Sequence, residues 1–322
     1  MARPAHPILN VMSPIFGSEG VYRIADRIAD DDFAKGRSLW RDAAEKFFRN
    51  RAATGALVLL LFIAAFSTVG SLLAVWSIEE IDWNVLADIS GSGQPSLSNG
   101  HYFGVDNLGR DLFSRTLQAT RTSLAVGIVG AIVAVLIGTV YGAVAGFAGD
   151  YLDNLMMRIV DVLIAVPSMF IIILLMVMFE RTLIMLFIGI GVVSWLEMSR
   201  IIRGQTLTLK NREFVEAAHA TGVSWFGIVF RHIVPNLFGV VVVYATLLVP
   251  SIILVESFIS FLGLGVQEPN SSLGSLISEG ASTIIFGTLW QLAAPMGFFL
   301  ALIVSLYFIG DGLRDALDPR DF

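Results

Sequence analysis

The chain is expected to fold as an all-α membrane protein with six transmembrane helices and both termini cytoplasmic. Three observations lead there. Of 322 residues, 55% are hydrophobic and only 15% charged, with a mean hydropathy of +0.75, far from the averages of soluble domains. Six apolar stretches meet or approach the roughly 20 residues that a helix needs to cross a bilayer core. Lys and Arg divide 17 against four between alternate sides of those stretches, and such residues are retained on the cytoplasmic side.

The elements follow in order. Residues 1–36 mix Pro4, Pro7, Pro14, Gly17 and the acidic run Asp30 to Asp32 without periodicity, which predicts an irregular tail. From Arg37 to Arg51, helical spacing gathers Leu39, Trp40, Ala43, Ala44 and Phe47 on one side, the pattern of an interfacial helix, so 1–51 form an N-terminal cytoplasmic region. Residues 52–121 hold the first span, Ala52 to Trp76, and an external loop, irregular at Gly91 to Gly100. The region 122–310 holds the five-helix core: Thr122 to Ala148, Ile159 to Phe179, Thr182 to Ile202, Ile233 to Leu262 and Thr288 to Gly310. Pro167 and Pro250 should kink their helices. Residues 311–322 form a cytoplasmic tail.

The polar segment 211–236 interrupts the core on the cytoplasmic side. Asn211 can cap a helix whose first turns carry Glu213 and Glu216, acids well placed at the positive end of a helix dipole. Gly222 supplies a stop, and Pro235 marks the return to the membrane. Ala217, Ala218 and Ala220 make a slim helix, while Phe214 and Trp225 offer bulky interface anchors. A docking handle for a partner and a plain amphipathic linker are both compatible with this pattern.

Several chemistries are excluded. There is no Gly-Lys pair, hence no P-loop for ATP, and no GxSxG elbow. The four histidines are scattered and cysteine is absent, so the expectation is no catalytic site, no metal site and no cofactor bound by this chain. A net charge of −6 argues against nucleic acid. A lone charge at the centre of a membrane helix costs ~2.5 to 3.5 kcal/mol, so Arg158, Asp161 and Glu256 are candidates for a pathway or gate. Arg158 with Asp161, and Glu197 with Arg200, could equally be intrahelical bridges. Glu256 either faces a pathway or satisfies the backbone freed by Pro250.

The run Glu216-Ala217-Ala218, then Gly222, then Ile233-Val234-Pro235 resembles the EAA loop of bacterial importer permeases, with Val234 where that family usually has Leu. Gly104 to Arg115, GVDNLGRDLFSR, is similar to the GTDxxGRDxxSR signature of the peptide and nickel permease family, with Val105 in place of Thr. Glu256 to Gly265 and Gly310 to Pro319 extend the likeness, which runs from about Arg37 to the C-terminus and is greatest to C-type permeases of oligopeptide ABC importers.

The resemblance implies a type I ABC importer permease fold in a bacterial inner membrane. It makes Glu213, Glu216, Ala217, Ala218, Gly222 and Pro235 the coupling residues, and Asp106, Gly109, Arg110 and Asp111 an external family motif. Its implied partners are a homologous B-type permease, two ABC ATPase subunits carrying ATP and Mg, an external solute-binding protein and a peptide substrate. The alternatives are a secondary transporter or channel subunit, with Glu256 as its one plausible ion-coupling acid, and an importer of dipeptides or nickel chelates.

Overall fold

Asn50 starts the first membrane crossing. Its side-chain oxygen accepts from the backbone N–H groups of Ala52 at 3.0 Å and Ala53 at 3.2 Å, capping α2 (Arg51–Val69) and separating it from α1 (Leu39–Arg49). This computed structural model describes residues 39–179 and 181–317; among them the regular structure is helical and no strand forms. The tail expected over 1–36, and 318–322 at the other end, lie outside the described residues.

The second crossing departs from expectation. Helix α3 runs Leu112–Ala148, 37 residues or about 55 Å, and so begins ten residues before the span read from hydropathy. The polar stretch Arg115 to Thr122 looks like loop because its charges are unsuited to lipid. It is helical because Asp111 caps it, accepting from Ser114 N–H at 2.8 Å, and because Arg115 is satisfied by protein.

After Gly149 the chain forms α4 (Asp150–Ala165) and α5 (Ser168–Met178), which diverge by 74° at Val166 and Pro167. The single kinked span expected over Ile159 to Phe179 is therefore a broken pair. Pro167 lacks the N–H that would continue α4, and Val166 before it is extended, at φ −86° and ψ 124°. Helices α6 (Leu183–Leu209), α7 (Glu213–Ala220), α8 (Phe238–Phe261), α9 (Leu273–Thr283) and α10 (Leu289–Ala316) follow. Pro250 lies inside α8, which continues through it. Helix α10 passes without interruption through the boundary expected at 310. Among the described residues α2, α3, α6, α8 and α10 are each long and apolar enough to cross a membrane, and the bent pair brings the total to as many as six.

A stripe of glycines at helical spacing, not singled out from the sequence, sets the close packing of α3 on α6. Gly138, Gly142 and Gly146 on α3 face Met198, Ser199, Ile202 and Thr206 on α6, where added Cβ atoms would stand 2.4 to 2.8 Å from α6 atoms. Small residues every fourth position let membrane helices approach this closely. Around that seam lie three apolar clusters: Ala143, Phe147, Met198 and Ile202 with the 215–241 segment, Ile172, Met176, Leu186 and Ile190 with α8, and Ile63, Leu302 and Leu306 with α9.

Candidate functional site

Helix α3 carries a polar assembly at each end. At its C-terminal end sits the segment 211–236. Val215 and Ala218, three apart, form the buried stripe of α7 in the cluster with Phe147, Ile228 and Val229. Glu213, Phe214, Glu216, Ala217, His219 and Ala220 are exposed, with the His219 ring stacked on Phe147 at 5.9 Å. Ala218, expected on the contact face, is instead packed against the chain's own core. Asn211 does not cap α7 either. Its amide donates to the Leu207 carbonyl at 3.4 Å, closing α6, while Arg212 occupies the cap position without a side-chain bond.

The stop at Gly222 has a defined geometry. Its φ is +78°, its N–H donates to the His219 carbonyl at 3.0 Å, and the Val223 N–H donates to the Ala218 carbonyl at 3.1 Å. This pair of bonds is a Schellman closure, which favours glycine at the left-handed position.

Beyond it, Trp225 does not project as the expected anchor. It packs on Phe147 at 5.6 Å between ring centroids, within the chain's own cluster. Phe226, 67% exposed, takes the outward place and stacks with Phe230 at 6.5 Å. Sequence reasoning missed this pair, although its i, i+4 spacing was the available signal. Residues 228–233 widen into a π-helix in which the Val234 N–H reaches the Val229 carbonyl. This local change of register precedes Pro235, which would collide with a carbonyl one turn back in an unmodified helix.

At the opposite end of α3 the residues Asp106, Gly109, Arg110 and Asp111 come together in a buried polar network. Asp106 accepts from the backbone of Leu108 at 2.8 Å and of Arg110 at 2.9 Å, from Arg110 Nε at 2.8 Å, and from Arg115. Arg115 is 2% exposed and donates also to Glu279 at 2.7 Å and to Ser271 at 3.1 Å. Arg110 reaches Glu268 at 2.9 Å. Burial works against the Arg110 charge, but Asp106 and Glu268 outweigh it and raise its pKa. His101, fully buried, lies 3.0 Å from Asp111, 3.5 Å from Asp82, and flat against Trp76. Gly109, at φ +77°, makes the turn that puts Arg110 back onto Asp106. The motif thus knits the loop 77–111 to α3 and α9.

The intramembrane candidates are placed differently from the sequence expectation. Asp161 pairs with Arg200 of α6 at 2.5 Å, not with Arg158, and Asp153 takes Arg203 in a two-pronged pair at 2.6 Å. Bidentate pairing between helices is geometrically superior to an i, i+3 contact along one helix. Arg158 is exposed and among the described residues has no ion pair. Glu256 is fully buried and accepts from Ser123 at 3.1 Å, Ser257 at 3.2 Å and Ser260 at 2.7 Å. Its partners are hydroxyls of α3 and α8 rather than backbone groups freed by Pro250. Among the described residues no group of acids, histidines or cysteines could hold a metal ion.

Fold and site define a multi-pass helical membrane protein with a polar helix presented at one end and a cross-linked cap at the other. The chain belongs to the family described as binding-protein-dependent transport system inner membrane component, whose model matches residues 138–320. Residues 38–90 match the N-terminal TM domain of oligopeptide transport permease C. The chain is 48% identical to the oligopeptide transport system permease protein OppC of Haemophilus influenzae, over 94% of each chain. It is 50% identical to OppC of Escherichia coli K12, over 89% of this chain and 93% of the relative. The dipeptide transport system permease protein DppC of Bacillus subtilis shares 39%, over 92% and 90%.

Proposed function

We propose that this chain is the permease subunit of an ATP-driven importer of oligopeptides and forms half of its translocation pathway. A homologous B-type permease supplies the other half. Of two cytoplasmic ABC ATPases, one binds the segment 211–236 and the other the equivalent segment of the partner permease, and an external solute-binding protein meets the cap at the far end of α3. The carrying observation is α7: a polar helix stopped by Gly222, its outward face free of any ion pair among the described residues, and its inward face fixed to the ends of α3 and α6. A push on α7 is thereby delivered to two long spans. The bias of basic residues puts this end in the cytoplasm, where ATP is. ATP binding would draw the coupling segments together and switch the bundle between two rigid arrangements. Oligopeptides are put ahead of dipeptides on the match of residues 38–90 to the N-terminal TM domain of oligopeptide transport permease C, since overall identity does not separate the OppC and DppC relatives of Bacillus subtilis, at 38% and 39%.

A Cβ at Gly222 meets nothing within 4 Å inside the chain, so apart from the strain of its left-handed φ of +78° a side chain there intrudes only on what lies outside. Gly222→Asp, measured with the reconstituted complex, should abolish most peptide uptake while the subunit still inserts. Uptake at the parent rate would refute docking at this helix. Phe226→Ala should reduce ATPase copurification and leave thermal stability nearly unchanged, whereas Trp225→Ala should lower stability by about 2 kcal/mol through the lost Phe147 contact. The two variants exchange roles if Trp225 is the external anchor.

A further inference from the structure

Glu197 lies 14 residues into α6, about 21 Å along its axis. It is exposed, and among the described residues it has no ion-pair partner, because Arg200 one turn on is held by Asp161 and Arg203 by Asp153. It lines a groove of about 420 Å³ between α6, α8 and the break that joins α4 to α5. Among the described residues Glu197 is the only charged one of the lining, which is otherwise aliphatic with the hydroxyls of Ser168, Ser194 and Ser251.

A second source of negative potential opens on the same place. Leu163, Ile164 and Val166 line the groove at the C-terminal end of α4. The last carbonyls of a helix have no partner within it, and they carry the negative end of its dipole. Pro167 offers no N–H to them. A carboxylate and a helix C-terminus thus converge on a groove with no cation of its own. An unpaired acid in a membrane helix marks a site that takes its counter-ion from elsewhere.

We infer that this groove is a cation subsite and that its occupant is the organic ammonium group of a peptide in transit, either the N-terminus or a lysine side chain. The occupant, though not the site, rests on the reading of the chain as a peptide permease. The aliphatic walls would accept neighbouring side chains without selecting among them, and the ammonium would be recognised by Glu197 with the α4 carbonyls.

The chain has no cysteine, so Ser194→Cys provides one thiol beside Glu197, and Ser251→Cys provides the same from α8 if the first variant fails to assemble. In the assembled complex in nanodiscs, the thiol is labelled with a cationic trimethylammonium methanethiosulfonate and with an anionic sulfonate reagent. The cationic reagent should react faster. Glu197→Gln should slow the cationic reagent about fivefold and speed the anionic one by a similar factor, lowering the cationic-to-anionic rate ratio about 25-fold, the effect of one unit charge a few ångströms away in a wet groove. Glu197→Asp should retain most of the ratio.

Protection experiments separate the two ammonium sources. Trialanine should slow labelling, and N-acetylated trialanine should not, if the N-terminus is the bound group. N-acetylated Ala-Lys-Ala should slow it if the lysine side chain is. A thiol inaccessible to both reagents in the complex, or a ratio indifferent to Glu197, overturns the site. A ratio that depends on Glu197 while no peptide protects overturns the peptide as occupant but leaves the cation site standing, and peptide uptake by the parent complex decides the proposed function separately.

Discussion

Arg115→Ala is expected to be the most damaging single truncation outside the apolar core. The guanidinium is 2% exposed and serves Asp106, Glu279 and Ser271 together. Removing it leaves Asp106, itself 2% exposed, with Arg110 as its one remaining cationic partner, and Glu279 with none. Breaking a buried ion pair from one side costs about 3 to 5 kcal/mol, because the stranded charge remains desolvated. The expected result is a thermal midpoint many degrees lower for the protein in detergent, with proteolytic cleavage appearing first within 77–111. Arg115→Lys should recover only part of the loss, since one ammonium cannot reproduce a planar fork that reaches three acceptors. A parent-like midpoint for Arg115→Ala would mean that the network holds nothing together. The result bears on function because Glu268 and Glu279 come from the segment after α8. Loosening this end frees the cap from the helix whose opposite end packs against the segment 211–236.

Hydropathy made the helical class and most spans legible, because burial in lipid leaves a signal in composition that needs no knowledge of partners. It located the polar segment 211–236 and its stop, since Gly222 follows directly from the need for a left-handed residue. It failed wherever a polar residue is satisfied by a distant one. Arg115 and Arg121 looked like loop because their sequence neighbours gave no hint of Glu279 or of the folded cap. Glu256 looked like a pathway acid because serine hydroxyls are silent in charge counts, and three of them reach it from two helices. The ion pairs of α4 and α6 join residues 39 and 50 positions apart, beyond any local rule, and only their formation shows Glu197 to be left over. Phe226 rather than Trp225 faces outward because adjacent residues point to different faces, and the face is set by where Phe147 lies.

The glycine stripe carries the second large effect. Gly142 stands where a Cβ would come 2.4 Å from the Ser199 carbonyl oxygen, 2.9 Å from Ile202 Cβ and 3.0 Å from Arg203 N. Two of those obstacles are backbone, so no rotamer change relieves them and α3 must move away from α6. Gly142→Ala is therefore expected to lower stability by about 1 to 3 kcal/mol through overpacking, although alanine is the better helix former. Gly204, on the same α6, meets nothing within 4 Å, and Gly204→Ala should match or exceed the parent by up to ~1 kcal/mol of helix propensity. One substitution type thus gives opposite signs at two positions, read as thermal midpoints of the purified protein. Equal midpoints would show that the helices do not depend on this approach. Displacing α6 also shifts Arg200 and Arg203 from their acids on α4 and moves the anchor of α7. Uptake should accordingly fall further for Gly142→Ala than for variants of equal stability altered elsewhere, because the seam that fixes the helices is also the rod between α7 and the groove at Glu197.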